Sequence, residues 1–325
     1  MSGAEEDWRP SASRERLAER AALLRRAREF FAERGVLEVD TPLVVNCPVS
    51  EVQLHCASVQ LAAGAAPLYL HSSPEYAMKR LLAAGSGDIY QICHVVRGLE
   101  HGHLHNPEFT LIEWYRIGFT LSALMDEVEA LVRKLLGPAA AGRASEQLSY
   151  RDAFLRELRL DPFTASDAAL AQAAVPLGVS ASSVAIERDE WLQLLMGAIV
   201  GPRLGRGALS FVHGYPVSQA ALARVDPQDA RVAQRFELYC EGIELANGFH
   251  ELAAADEQRE RFAHDNAERR RRGLAIAAPD ERLLAALAAG LPDCAGVALG
   301  FDRTLMLATG AAHIEEVLAF PTARA

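Results

Sequence analysis

Strand-like runs occur in adjacent pairs along this chain, and helix-like runs are grouped between the pairs. The paired runs are residues 89–97 with 108–117, and residues 235–239 with 243–249. The helical patterns between them cover residues 121–136, 150–158 and 188–200. Parallel α/β folds alternate strand and helix instead. We therefore predict an α+β fold with an antiparallel sheet flanked by helices, and we disfavour a Rossmann fold.

Further elements follow from periodicity, caps and proline positions. Residues 13–34 carry apolar side chains at helical spacing, with Ser13 as a candidate N-cap and Gly35 as a stop. Pro42 places the short strand before it at an edge or interface. The remaining predicted strands are 68–72, 209–213 and 297–299, and the remaining helices are 74–84, 256–272, 280–289 and one from near 302. The GPAAAGRAS interval is predicted to be a surface connection.

Composition limits the class of protein. The chain has 325 residues, half of them apolar, which is enough for one large domain or two small ones, and we favour one. No apolar run is long enough for a membrane span, and the acidic start is unlike a signal peptide, so we predict a soluble, cytoplasmic protein. Five cysteines without CxxC spacing predict reduced thiols. A net charge of −10 disfavours a surface devoted to nucleic acid.

A long polar loop, GLEHGHLHNP, separates the first pair of strands, with Arg97 before it and Phe109 after it. An arginine can bridge a carboxylate and a nucleotide phosphate, and an aromatic ring can stack on a base. A surface loop beside a buried phenylalanine explains the same residues equally well. His101, His103 and His105 could suggest a metal site, but the loop offers no cysteine partner, and we disfavour that interpretation.

Two further segments carry candidate chemistry. Glu237, Glu244 and Glu251 recur every seven residues within RFELYCEGIELANGFHEL, so paired strands could bring carboxylates together around Mg²⁺ or an amine. The alternative makes them exposed acids on a strand face. In GVALGFDR, small residues admit a ligand close to the backbone, and Arg303 lies where a helix N-terminus favours phosphate. Tight packing at the turn is the alternative there.

In chain order, GVLEVDTP, the block from Arg97 to HNPEFTLIEWY, and GVALGFDR resemble motifs 1, 2 and 3 of class II aminoacyl-tRNA synthetases of the lysyl branch. The chain is still more similar to the truncated lysyl-synthetase paralogues that attach (R)-β-lysine to a lysine of translation elongation factor P. WRPSAS, SPEYAMKRLL, HNPEFTLIEWYR and GIELANGFHEL carry this resemblance over essentially the full chain. It implies one class II synthetase-like catalytic domain over residues 1–325, without an anticodon-binding domain, that forms a homodimer through motif 1.

The resemblance also implies an ATP site that uses Mg²⁺. Arg97 and Arg303 would be catalytic, with Arg97 on the α-phosphate and the substrate carboxylate and Arg303 on the γ-phosphate. Asn106 and Phe109 would hold adenine. The implied ATP-binding residues are Arg97, Gly98, Leu99, Glu100, His105, Asn106, Phe109, Glu244, Leu245, Gly300 and Arg303. Glu237 and Glu244 would bind Mg²⁺.

For the amino acid, the resemblance implies a separate group of residues. These are Ser73, Pro74, Glu75, Tyr115, Asn247, Glu251 and Ala298. Glu75 would pair with the amine nearest the carboxylate, whereas Tyr115 and Glu251 would hold the distal ammonium. Asn247 would help to orient the carboxylate, and Ala298 stands where lysyl synthetases have glycine.

The chain departs from the lysyl pattern at two places. Leu99 stands where the family has glutamate, with Glu100 one position later, and Leu104 stands where an arginine usually precedes the HNPEF segment, with His103 beside it. The run from Arg269 to Arg272 is interpreted as a solvated helix face, with contact to nucleic acid or an acidic protein as a minority interpretation.

We predict an ATP-dependent ligase that forms a β-lysyl adenylate and modifies elongation factor P. Transfer RNA is not the expected acceptor, and no membrane partner is expected. Two rival interpretations are an acceptor-stem-only tRNA-charging enzyme and an inactive synthetase-like regulator.

Overall fold

A computed structural model describes residues 8–98, 101–179 and 186–325. The helices are α1 (Arg14–Ala32), α2 (Glu75–Ala83), α3 (Leu121–Leu136), α4 (Tyr150–Leu158), α5 (Asp167–Ala174), α6 (Arg188–Leu195), α7 (Ala255–Arg271), α8 (Glu281–Gly290) and α9 (Phe301–Thr309). The strands are β1 (Leu37–Glu38), β2 (Val44–Val45), β3 (Ser58–Val59), β4 (Leu68–Leu70), β5 (Ile89–Val96), β6 (Glu108–Ile117), β7 (Ala144–Ser149), β8 (Ala208–Pro216), β9 (Val225–Asp226), β10 (Asp229–Cys240), β11 (Ile243–His250) and β12 (Cys294–Gly300).

A large sheet organises the described part of the chain. Its strand order is β1-β5-β6-β12-β11-β10-β8-β7, with β9 beside β10, and β2, β4 and β3 form a separate small sheet. The large sheet is antiparallel except at its two edges, where β1 pairs with β5 and β7 with β8 in parallel. The predicted α+β fold with an antiparallel sheet is therefore confirmed, and both predicted strand pairs are hydrogen-bonded neighbours.

One face of the sheet packs on helices α1, α3 and α9. Phe31 of α1 stacks on Tyr90 of β5 with ring centroids 4.2 Å apart, and Trp114 of β6 donates to Glu127 of α3 at 3.1 Å. The other face is covered at one end by α2, α7 and α8, and at the other end by α4, α5 and α6. The middle strands are left open to a cavity between these two helical groups.

Local signals explain the well-predicted elements. Ser13 caps α1 by accepting from the backbone of Arg16, and Gly35 adopts φ +66° after its end. Pro74 occupies the N-cap of α2, and β1 lies at a sheet edge as Pro42 indicates. All five cysteines are free. No helix among the described residues combines the length and apolarity needed to cross a membrane.

Three predictions of local structure are wrong in part. The polar sequence ASEQLS forms the edge strand β7, so the GPAAAGRAS interval is a connection only in its first part. Helix α5 had no prediction, and α6 ends at Leu195, after which a π-helical turn continues to Val200. Strand β10 begins at Asp229, six residues before its predicted start, because its first half pairs with β8 and β9.

Candidate active site

The cavity lies on the open face of β6, β12 and β11 and has a volume of about 860 Å³. Strand register determines what its floor presents. Ala298 of β12 pairs with Glu113 of β6 on one side and with Asn247 of β11 on the other. Because Cβ atoms of directly paired residues point to the same face, these three side chains form one row across the floor. All three line the cavity.

Arginines gather at one end of the cavity. The guanidinium of Arg97, at the end of β5, lies 5.1 Å from the ring centre of Phe109, and its Nε donates to the Ser72 carbonyl at 3.4 Å. This contact holds the guanidinium beside an aromatic face that also lines the cavity. The pair can therefore present a cation and a stacking surface to one ligand.

Arg303 reaches the same end from the first turn of α9. It donates to the Glu244 carbonyl at 3.0 Å and to the Leu104 carbonyl at 3.3 Å, and its second terminal nitrogen lies 2.6 Å from Nε2 of His105. A Cβ at Gly300 would make only ordinary contacts, so packing does not require glycine there. Leu245 lines the cavity and packs into the main core.

The loop between β5 and β6 is fixed by Asn106. Its amide nitrogen donates to the Glu108 carbonyl at 2.6 Å, and its oxygen accepts from the Thr322 amide at 3.0 Å. Each half of the side chain thus has one backbone partner and keeps one further donor or acceptor site for a ligand. Gly98 lies against His55, whose carbonyl accepts its amide at 2.7 Å. Leu99 and Glu100 lie outside the described residues.

The predicted carboxylates Glu237 and Glu244 lie on neighbouring strands β10 and β11. Glu237 accepts from Arg235 and from the Tyr239 hydroxyl, each at 2.5 Å, and lies behind the cavity wall. Arg235 also donates to Asn247 at 3.2 Å and does line the cavity. Burial, with the charge of Glu237 adding to it, raises the pKa of Glu244 to about 7.

A cation beside Glu244 would relieve that cost, so Glu244 fits Mg²⁺, whereas Glu237 would have to turn from Arg235 toward the cavity to join it. Magnesium commonly uses only one or two protein carboxylates together with substrate phosphates. The described residues contain no group of three or more histidine, cysteine or acidic side chains arranged for a metal ion.

Carboxylates gather at the other end of the cavity. Glu113 accepts from Ser73 at 2.7 Å and from the Tyr115 hydroxyl at 2.8 Å. Burial, reinforced by the charge of Glu75, raises the pKa of Glu113 to about 7. Glu251 is 1% exposed, and burial also raises its pKa. This end can therefore bind ammonium groups with carboxylates that are already desolvated.

One lysine ammonium lies inside this acidic end. The Nζ of Lys79 is 2.6 Å from Glu75 and 2.6 Å from Glu251, and the side chain is 1% exposed. Burial alone would lower the pKa of Lys79, but the charges of Glu251 and Glu75 outweigh it and raise the pKa above the usual lysine range. Pro74 is buried behind this end and helps to begin α2.

Gly296 makes the acidic end possible. A Cβ at this position would lie 2.3 Å from the Tyr115 ring and 2.5 Å from a carboxylate oxygen of Glu251. Any side chain would therefore push both groups out of place, because such distances are far below van der Waals contact.

The mouth of the cavity is mostly acidic. Its carboxylates are Glu51, Glu187, Asp189, Glu190, Glu257, Glu260, Asp265 and Glu268. The arginines there are paired: Arg271 lies 3.0 Å from Glu187, and Arg272 lies 3.0 Å from Glu190. The prediction of a solvated arginine face is wrong for Arg269, which is 9% exposed and donates to the carbonyls of Ala275 and Glu51.

The loop histidines face different neighbours. His105 contacts Arg303, whereas His103 meets His313 edge to face at 6.3 Å between ring centres. Leu104 lines the cavity where the lysyl pattern has arginine, and its carbonyl accepts from Arg303 instead.

Residues 6–324 match the family described as tRNA synthetases class II (D, K and N). The chain belongs to this family. A protein from Vibrio cholerae serotype O1, named elongation factor P–(R)-beta-lysine ligase, is 50% identical over 324 residues, which are 98% of this chain and 99% of that protein. Proteins of the same name from Yersinia enterocolitica and Salmonella typhi are 49% and 47% identical, each covering 98% of both chains.

Most of the site residues predicted from the sequence meet in one cavity. Those that line it are Ser73, Glu75, Arg97, His105, Asn106, Phe109, Tyr115, Glu244, Leu245, Asn247, Glu251, Ala298, Gly300 and Arg303. Among the described residues, Pro74, Gly98 and Glu237 lie behind its wall. Sequence reasoning missed Lys79, Glu113, Arg235 and Gly296. Lys79 follows Glu75 by four residues on a helix, which is the one signal that could have indicated the ion pair.

Proposed function

We propose that this chain is an ATP-dependent ligase that activates (R)-β-lysine as an aminoacyl adenylate and transfers the acyl group to a lysine side chain of translation elongation factor P. The observation that carries the proposal is one cavity with an arginine end and a carboxylate end, joined by a short floor. A diamino acid has a matching polarity, since its carboxylate and its distal ammonium group lie at opposite ends. The names of the relatives supply the acceptor and the amino acid.

In the first step, a carboxylate oxygen of the amino acid attacks the α-phosphorus of ATP, and pyrophosphate leaves. Both reacting groups are anions, so Arg97 would lower the barrier by neutralising them together. Arg303 would bind the γ-phosphate, and Phe109 would stack on adenine. Asn106 would hold adenine through the donor and acceptor sites that its two backbone partners leave open, while those partners fix the loop around the base.

Glu237 and Glu244 would hold Mg²⁺ when ATP is bound. The ion would neutralise phosphate charge during the displacement. Arg235 supports this arrangement because it fixes Glu237 from one side and Asn247 from the other.

In the second step, a neutral lysine amine of the acceptor attacks the carbonyl of the mixed anhydride, an amide forms, and AMP leaves with the bonding electron pair. The attacking amine loses a proton, so transfer should quicken as pH rises toward the lysine pKa. Glu75, Glu251 and Tyr115 would meanwhile hold the ammonium groups of the substrate, with Ser73 placing Glu113 beside them.

The acidic mouth of the cavity favours a protein lysine over RNA as the acceptor. Phosphate binding needs unpaired Lys or Arg, but Arg271 and Arg272 are already paired with carboxylates. A cationic lysine side chain on elongation factor P would instead be attracted by the acidic mouth of the cavity.

The deciding experiment offers labelled (R)-β-lysine to both acceptors in parallel, with enzyme and ATP. We expect label on elongation factor P, measured by intact mass and scintillation, and little on tRNA. Label on tRNA at an equal or higher rate would replace the ligase proposal with the tRNA-charging rival. Absence of β-lysine-dependent ATP–pyrophosphate exchange would instead favour the regulator.

We further propose a homodimer that uses the motif 1 segment. Strand β1 lies at the edge of the large sheet, and Leu37 is 55% exposed there, so the edge offers an apolar side chain to a partner. Light scattering of wild type and Leu37→Glu would test this, because a dimer should dissociate when a charge enters the edge. The single catalytic domain and the cytoplasmic location stay predictions.

A further inference from the structure

A buried lysine bridges two of the three carboxylates at the acidic end of the cavity. Lys79 lies on α2, one helical turn after Glu75, between core residues Met78 and Leu82. Its ammonium is equidistant, at 2.6 Å, from Glu75 and Glu251. Burial of a lysine is expensive unless the charge is paired, so this geometry requires both partners.

The ammonium changes the charge that a ligand meets. Glu75, Glu113 and Glu251 can carry three negative charges, and Lys79 cancels one of them. Two negative charges remain, and they face a cavity that also contains the Tyr115 hydroxyl. A diamino acid brings two ammonium groups, so the charges balance with Lys79 present and fail to balance without it.

The bridge also fixes where the carboxylates point. One oxygen of Glu251 is held by Lys79, while the other lies over Gly296, within reach of the cavity. Glu75 has one oxygen on Lys79, and its side chain is 15% exposed. Each carboxylate thus keeps one oxygen on the lysine and has its second oxygen left for a ligand.

Resting on the function proposed above, we infer that Lys79 is a positioning residue that makes the site selective for an amino acid with two ammonium groups. It does so by holding Glu75 and Glu251 at a fixed spacing and by setting the charge surplus that they present. Lys79 need not touch the substrate. A purely structural ion pair is the competing explanation, and it would affect all substrates alike.

The kinetic test compares Lys79→Met with wild type in ATP–pyrophosphate exchange. The two substrates are (R)-β-lysine and its analogue that lacks the distal amine. We expect KM for β-lysine to rise at least about tenfold, with kcat changed much less, and we expect discrimination between the two substrates to shrink. Equal losses for both substrates, with the ratio of kcat/KM preserved, would overturn the inference in favour of the structural role.

The chain provides a matched control, because it contains only two lysines, Lys79 and Lys134. Lys134 lies on α3, on the opposite face of the sheet, and pairs with Glu33 at 3.0 Å. Lys134→Met removes the same side chain without reaching the cavity, so substrate discrimination should stay at the wild-type value.

A second measurement covers the case in which Lys79→Met does not fold. Wild-type enzyme labelled with ¹⁵N-lysine should give two side-chain nitrogen signals, which Lys134→Arg assigns. Saturating β-lysine should shift the Lys79 signal and leave the Lys134 signal in place. A Lys79 signal that ignores bound β-lysine would overturn the inference.

The same experiment separates the two proposals. Binding and pyrophosphate exchange by wild type support the proposed function whatever Lys79 does. If β-lysine neither binds nor supports exchange, the proposed function fails, and the inference about Lys79 fails with it.

Discussion

Each end of the cavity contains a cation that is paired with neighbouring side chains, but the two ends carry net charges of opposite sign. At one end, Arg235 is a partly buried cation held by Glu237 and Asn247, and two more arginines, Arg97 and Arg303, leave a positive surplus. At the other end, Lys79 is a buried cation held by Glu75 and Glu251, and the acids leave a negative surplus.

This comparison shows that net charge, rather than the presence of one sign, distinguishes the ends. Each surplus is built on an internal ion pair that lowers the cost of desolvation. Lys79 and Arg235 fix geometry, while Glu75 and Glu251 at one end and Arg97 and Arg303 at the other would bind the ligand. A substitution at one end should therefore leave ligand binding at the other end intact.

The largest effect is expected for Arg97→Ala. It removes the group that neutralises both reacting anions, and we expect a loss of roughly 3 kcal/mol or more of transition-state stabilisation, which is over a hundredfold in pyrophosphate exchange. Arg151→Ala, a surface arginine paired with Asp161, is the control. Near-normal exchange by folded Arg97→Ala would contradict the assignment.

Glu251→Gln alters the opposite end with almost no change in volume. The substrate loses a charged acceptor for its distal ammonium, so kcat/KM for β-lysine should fall by a factor that corresponds to about 2–3 kcal/mol of transition-state stabilisation. KM for ATP should stay unchanged, because the arginine end is intact. An equal rise in both KM values would show that the ends are not separate.

Ala298→Gly tests the floor between the ends. The methyl group of Ala298 lies in the row between Glu113 and Asn247 and should crowd a substrate amine on the α carbon more than one on the β carbon. Its removal should improve use of α-lysine relative to β-lysine by about 1–3 kcal/mol. An unchanged ratio of kcat/KM for the two amino acids would reject this steric account.

The smallest effect concerns pH. Burial raises the pKa of Glu113 to about 7, and only the ionised carboxylate binds an ammonium group strongly. KM for β-lysine should therefore fall as pH rises through 7 and level off above 8. A pH-independent KM would mean that Glu113 stays ionised in the empty site.

The raised pKa of Glu113 also affects the free energy of unfolding. The folded state binds a proton that the unfolded state, with a carboxyl pKa of about 4.3, has already released. The free energy of unfolding contributed by Glu113 therefore falls as pH rises from about 4 to 7. Urea unfolding of the empty enzyme at pH 5 and pH 8 should reveal this loss, and Glu113→Gln should reduce it.

Much of the fold could be predicted because hydrophobic periodicity is local. Helix α1 and strands β5, β6 and β11 have strong patterns and clear ends. Strand β7 has no apolar alternation, and only its parallel pairing with β8 makes it a strand. No local signal carries that information.

The site residues likewise separate into those with a local sequence signal and those that depend on distant partners. The order of motifs indicated Arg97, Glu251 and Arg303. Glu113 sits inside an apolar strand, and its role depends on the register that places it beside Ala298. Gly296 is required because Tyr115, its pairing partner on the neighbouring strand, and Glu251 fill the space that a Cβ would take. Such dependence on distant partners is invisible in one sequence.

The bridge at Lys79 also bears on self-modification. An aminoacyl adenylate acylates amines that carry a free electron pair, and an ammonium ion has none to donate. Lys79 lies behind the wall of the cavity that would hold the adenylate, and the two flanking carboxylates keep its nitrogen protonated. The internal lysine is thereby chemically silent toward the intermediate, whereas an acceptor lysine that arrives from solvent can lose its proton and react.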